Sequence, residues 1–202
     1  AQIDLSKVRL ERLGYFKGVE VETPQVPGTD DQIDVEFAVE EQPSGAISGT
    51  LAYSQGYGLI LGANYQQSNL QGSGNSLTVG LSYSQFQQSV NFNYYDPYFT
   101  LDGISRGYNV FFRRLDYDAR NIARYSTDSA GGGVTFGFPI GETQRINFGM
   151  NIEHTEIREG FAAAQEISEF IDRNGPDALN FKANLSWIRS TLNRGVFADR
   201  GS

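Results

Sequence analysis

Apolar and polar residues alternate along most of this chain, and the alternation predicts β-strands whose two faces differ. Ile47, Gly49, Leu51 and Tyr53 interleave with Ser48, Thr50, Ala52 and Ser54. The rhythm returns in Leu59, Leu61, Ala63 and Tyr65, and again in Leu77, Val79, Leu81 and Tyr83. It continues less evenly through Val90 to Tyr94, Tyr108 to Phe112, Val134 to Phe138, Ile146 to Ile152 and Leu179 to Trp187. About eight strands are predicted, each bounded by Gly, Asn, Ser or Pro clusters that suit turns.

The opening is written differently. Ile3, Leu5, Val8, Leu10 and Leu13 fall at helical spacing, with Asp4 or Ser6 as N-cap and Gly14 as the stop. Strands follow over Gly18 to Thr23 and Gln32 to Gln42, separated by the turn-forming "PQVPGTDD". In the second strand Ile33, Val35, Phe37 and Val39 share one face, whereas Asp34, Glu36 and Glu40 lie on the other face or at its end. Hydrocarbon on one face and charge on the other predicts a small α+β module.

After "QPSG" (Gln42 to Gly45) charged residues all but vanish as far as Tyr95, and the polar face becomes small and neutral. A soluble sandwich or lipocalin-like barrel turns its apolar face inward and dresses its outer face in Lys and Glu. Fifty residues without those charges favour a membrane β-barrel, whose strands need only about 9–11 residues and alternate lipid-facing with lumen-facing side chains. Connections such as "QGY", "SQFQQS" and "GET" are short, while Leu115 to Ser129 and Glu153 to Ala178 read as long charged excursions. That contrast predicts short turns on one side of the membrane and long loops on the other. The side taken by "NLQGSGN" stays open. The stretch "NFNYYDPYFT" (Asn91 to Thr100) becomes a wall strand with Phe92 and Tyr94 toward lipid, ended by Pro97.

Composition narrows the chemistry. Twenty-three Gly, 11 Tyr and 14 Phe against one Trp, one Met and no Cys fit a β-rich protein with tight turns. A net charge of −8 argues against a nucleic-acid partner, which would require concentrated Lys and Arg. With His154 as the sole histidine and no cysteine, this chain cannot by itself supply an imidazole or thiolate zinc site. No apolar run is long enough for a spanning helix, and the N-terminus has no charged-then-apolar leader pattern.

Candidate catalytic motifs are incomplete. "DYDARN" (Asp116, Asp118, Asn121) lacks the further acidic position, the Gly and the closing Glu of a calcium loop. Gly72-Ser73-Gly74 and Gly131 to Gly133 are not followed by the Lys and helix start of a phosphate loop, so they read as a turn and a close-packed strand. His154 beside Glu153 and Glu156 reads as a solvated histidine at a strand end, and the acidic pairs Asp30, Asp31 and Glu40, Glu41 as ordinary surface charge. The expectation is a protein that is not an enzyme and takes no cofactor.

Three segments carry a resemblance. "LGYFKGVEVET" passes from helix to strand, "NYYDPYFTLDG" runs from strand to turn, and "LNRGVFADRGS" leads out of the eighth alternating strand. With them, the whole chain resembles the POTRA-plus-barrel family of outer-membrane β-barrel assembly factors. The resemblance implies that residues 1–43 are the C-terminal part of a last POTRA domain and 44–202 the first eight of sixteen antiparallel barrel strands. The chain would then be a piece of a longer protein. Neither "RGVF" (Arg194 to Phe197) nor "SRGY" (Ser105 to Tyr108) matches the family's Arg-Gly-Phe signature, which belongs to the other half of the barrel. The expected place is the bacterial outer membrane, with the N-terminal part in the periplasm. The expected partners are unfolded outer-membrane proteins, assembly-complex lipoproteins and outer-membrane lipid.

A working edge follows from the same expectation. The first barrel strand has no preceding barrel strand in sequence, so backbone groups of Ile47, Ser48, Gly49, Thr50, Leu51, Ala52 and Tyr53 would sit at a seam able to pair with a client strand. Ile33, Val35, Phe37 and Val39 mark a second candidate edge, for a periplasmic partner. A polypeptide-secreting POTRA barrel is the alternative reading, and a passive porin or adhesin barrel a weaker one.

Overall fold

The protein is described by a computed structural model covering residues 2–12, 15–29, 32–120, 122–141, 143–161 and 163–190. Ala1, Leu13, Gly14, Asp30, Asp31, Asn121, Glu142, Ala162 and the segment 191–202 lie outside the described residues. The chain divides into two compact units, one built around residues 1–44 and the other spanning Gly45–Ile188.

In the first unit helix α1 (Gln2–Arg12) packs on β1 (Phe16–Glu22), which pairs antiparallel with β2 (Glu36–Glu41). Val19, 4% exposed, is the one buried large hydrophobic side chain among the described residues. The second strand is shorter than its apolar pattern predicts. The pairing Gln25↔Ile33 survives only as an isolated bridge, and regular pairing resumes at Glu22↔Glu36. Pro24 explains the gap: its carbonyl accepts from the N–H of Asp34 at 2.9 Å, but it has no N–H to return.

The second unit is one antiparallel sheet of eight strands in sequential order. Its members are β3 (Gly45–Ser54), β4 (Gly58–Gln67), β5 (Ser76–Tyr83), β6 (Gln87–Asp96), β7 (Ser105–Asp116), β8 (Tyr125–Pro139), β9 (Gln144–Glu159) and β10 (Asp177–Arg189). A helix, α2 (Gln165–Asn174), lies in the connection from β9 to β10. No described helix is long and apolar enough to cross a membrane.

Register converts the sequence alternation into two different faces. One row runs Ile47, Tyr65, Val79, Phe92, Val110, Gly132, Ile152 across seven strands. The next row, on the opposite face, runs Ser48, Asn64, Gly80, Asn91, Phe111, Gly131, Glu153. The apolar face is not covered by protein: Ile47 is 82% and Leu51 76% exposed. Each such side chain would gain about 1.5–3 kcal/mol by leaving water, so the sheet is built for an apolar surrounding.

The strand connections correct the expected loop pattern. Residues 55–57, 84–86, 117–124 and 160–176 share one edge, whereas 68–75, 97–104 and 140–143 share the other, at which β3 begins. The latter is called here the proximal edge and the former the distal edge. Short and long connections thus mix at the distal edge, because strand parity fixes the side and length does not. "NLQGSGN" falls at the proximal edge. The ends of the two predicted excursions are strand, since β7 reaches Asp116, β8 starts at Tyr125 and β9 runs to Glu159.

Candidate functional site

β3 forms because small and β-compatible residues alternate without Pro or charge from Gly45 to Ser54. It pairs with β4 along its whole length, from Gly45↔Gln67 to Ser54↔Gly58, and stands at the end of the strand order, with β10 at the other end. In an antiparallel ladder, residues of one parity exchange N–H and C=O bonds with the neighbour, and those of the other parity point the same groups away. Half of Ile47 to Tyr53 therefore presents backbone groups to the side opposite β4. Every side chain from Gly45 to Tyr53 is exposed.

Gly49 is not demanded by packing. A Cβ built there would find its nearest neighbour, the carbonyl oxygen of Gly62, 3.9 Å away. Glycine at an uncrowded strand position weakens the strand through backbone entropy and leaves the edge without a side chain to hold a partner in register.

The second predicted edge is assembled only in part. Phe37 and Val39 lie in β2, Ile33 holds the isolated bridge and Val35 precedes the strand. All four side chains are exposed. The cross-strand pair Lys17 Nζ to Glu40 Oε1, 3.2 Å, is solvent-exposed and contributes little.

Two charge clusters escape a reading by local pattern. On the polar face Glu153, its side chain 9% exposed, is reached by Arg113 Nη2 at 3.6 Å and by the Lys182 ammonium. Ser129 and Thr155 join hydroxyls at 3.1 Å beside it. On the apolar face, at its distal rim, Arg114 grips Asp128 with two bonds of 2.6 and 2.5 Å. Arg158 reaches Asp128 at 3.2 Å and Glu156 at 2.9 Å. Residues 113–114, 128, 153–158 and 182 are far apart in sequence, and only the sheet register unites them.

His154 sits inside β9, not in a loop. Neighbours along a strand point to opposite faces, so its imidazole and the Glu153 carboxylate do not converge. Its Nε2 lies 3.3 Å from Asp177 instead. Asp116 accepts the N–H groups of Asp118 and Ala119 at 3.1 and 3.2 Å, which caps the turn that the calcium-like motif occupies. Among the described residues no group of three or more His, Asp or Glu is arranged to hold a metal ion. The triple glycine serves the sheet: a Cβ at Gly131 would meet the Ile152 carbonyl at 2.6 Å and the Phe111 ring at 2.8 Å.

Sheet order, two-faced register and open apolar wall are those of an outer-membrane β-barrel wall. Residues 69–202 match the model of the Omp85 superfamily domain. The chain belongs to the Omp85 superfamily. The Omp85 match begins in the turn before β5, and similarity to individual relatives extends it to the rest. The outer membrane protein assembly factor BamA of Neisseria meningitidis serogroup B is 30% identical over 100% of this chain and 26% of its own length. The BamA of Buchnera aphidicola is 28% identical over 77% of this chain and 25% of its own. The crystal structure of Haemophilus ducreyi BamA lacking POTRA domains 1–3 superposes with a TM-score of 0.69 at 31% identity, over 98% of this chain and 40% of that one. The chain thus spans about a quarter of the length of these two Omp85 relatives.

Proposed function

We propose that this chain belongs to an outer-membrane protein that folds and inserts other β-barrel proteins, and that the outer edge of β3 is where a client strand pairs. Gly45–Ile188 would be the first eight strands of the barrel wall, and residues 1–43 the end of the last POTRA domain, on the periplasmic side. Unfolded outer-membrane proteins would be the clients, and assembly-complex lipoproteins would meet the periplasmic part, with Ile33 to Val39 as their candidate edge. Similarity to BamA along the full chain supports the role. The observation that carries the site is the position of β3: terminal in the sheet, paired on one side with β4, and free of charge.

The physical problem is an unpaired backbone in hydrocarbon, where each unsatisfied N–H or C=O costs several kcal/mol. A client strand added to the β3 edge satisfies its groups while its side chains enter lipid, so the ladder forms before the full cost falls due. Side chains set register, and backbone supplies the bonds. On this account the seam with the barrel's closing strand opens sideways, since small residues at Gly45, Ala46, Ser48 and Gly49 give it little interlocking area.

The test uses parity. In full-length protein in liposomes, Gly49→Pro and Thr50→Pro remove donors that point to opposite sides of β3. One of the pair should loosen the β3–β4 hairpin, and the other should leave the sheet intact and slow the folding of an added outer-membrane protein. Folding is read from the client's electrophoretic shift on heating. Equal and undiminished client folding by both variants contradicts the site. Passage of the added polypeptide through the barrel without its insertion would favour secretion over assembly.

A further inference from the structure

Arg106 is a guanidinium of the apolar face at its proximal rim, and its surroundings are unusual. In register it stands between Asp96 of β6 and Phe136 of β8, with the lipid-type residues Tyr108, Val110 and Phe112 following on the same face. Its guanidinium carbon lies 3.8 Å from the centre of the Phe99 ring and 5.3 Å from that of Tyr108. Asp96 approaches Nη2 at 3.7 Å, an ion-pair contact beyond hydrogen-bond reach. Asp96 Oδ1 is already occupied by the N–H of Tyr98 at 3.1 Å. Among the described residues none of the five guanidinium N–H donors meets a protein acceptor; Nε is shut in, and the side chain as a whole stays 26% exposed.

The adjoining turn adds to this. Tyr98, Phe99 and Leu101 are exposed at the proximal edge, Leu101 completely so. Aromatic and long apolar side chains at a rim sit at headgroup depth in a bilayer. A guanidinium seated over one ring, approached by one carboxylate, and left with unfilled terminal donors at that depth matches an anionic oxygen pair.

We infer that Arg106, stacked on Phe99, binds the phosphodiester of a membrane phospholipid at the proximal rim of the barrel wall. The inference rests on the membrane reading above. On that reading the lipid lies in the periplasmic leaflet. Free phosphate shares the chemistry, but the exposed Tyr98, Phe99 and Leu101 favour a ligand with an apolar body.

The test is retention of phosphatidylglycerol by the full-length protein in non-ionic detergent, counted by native mass spectrometry. Arg106→Gln should lower the apparent affinity about fivefold, the size of one basic residue's attraction to an anionic headgroup. Phe99→Ala keeps the charge and lies outside the sheet, so it decides the matter should the first variant not fold; it should weaken retention roughly two- to fivefold through loss of the ring contact. Arg114→Gln at the distal rim, where Asp128 already satisfies the arginine, should retain the lipid as the parent does. Retention by both Arg106→Gln and Phe99→Ala equal to that of the parent overturns the inference, as does a parent that retains no lipid. Displacement by millimolar inorganic phosphate would reassign the site to free anion and overturn its lipid assignment. A protein that retains lipid through Arg106 but does not accelerate client folding would defeat the assembly reading alone.

Discussion

Glycine is the residue on which the polar face turns. The Phe111 ring occupies the space a Cβ would take at Gly131, and the Asn91 and Asn151 side chains do the same at Gly80 and Gly133. Gly131→Val should therefore force backbone or ring movement and cost about 1–3 kcal/mol, as overpacking does. The check is a lower temperature for the electrophoretic unfolding shift of the full-length protein; an unchanged temperature would show that the sheet absorbs the group. Glu153 makes the complementary case. With Arg113 and Lys182 beside it, Glu153→Gln should leave two cations facing each other and lower stability by roughly 1–2 kcal/mol. Raised salt should narrow that difference, because Arg113 and Lys182 are about half-exposed or more and their repulsion is screened. The close packing of Gly131 to Gly133 was legible in the glycine run itself, whereas the partners of Glu153 were not. Glu153 and His154 read as loop charge in a single chain, since a charge inside a strand is explained only by partners on other strands.

At the scale of elements, periodicity carried most of the fold. Alternation located all eight sheet strands, and it placed Phe92, Tyr94 and Pro97 correctly relative to the end of β6. Strand ends were hidden for two physical reasons. Arg114, Asp128 and Arg158 satisfy one another across β7, β8 and β9, so charge did not mark the end of pairing. In the first unit, Pro24 breaks a ladder that Ile33 and Val35 would otherwise continue, and its effect falls on the opposite strand. A further feature appears only when hairpins are set side by side. Rings of Tyr57, Phe86, Tyr117 and Tyr125 follow one another along the distal edge with centroid spacings of 5.7, 5.7 and 4.7 Å. Phe86 also accepts the N–H of Asp116 through its carbonyl at 2.8 Å. The rings chain three hairpins, beginning at the tip of β3. Phe86→Ala removes two ring pairs, each contributing about 0.5–1.5 kcal/mol. Amide hydrogen exchange in residues 54–58 and 84–87 should speed up in that variant, while exchange near Gly45 stays as in the parent. Unaltered exchange at both hairpins would mean the rings do not couple them.

For the molecule as a whole, the account joins a wall written for lipid to an edge written for pairing. The apolar rows have no protein cover, and the strand that opens the sheet is its lightest. The sequence made the wall visible through missing charge and made β3 conspicuous as the first alternating strand after "QPSG". It could not reveal which backbone groups face outward, because parity depends on the register with β4. The most direct measurement is a register-resolved disulfide scan in the full-length protein, with single cysteines at positions 47–53 and a client carrying single cysteines along its terminal strand. The account predicts cross-links during assembly that follow one antiparallel or parallel register along β3, and none from cysteines on β5. Client assembly proceeding at the parent's rate with no cross-link to any β3 position would contradict it.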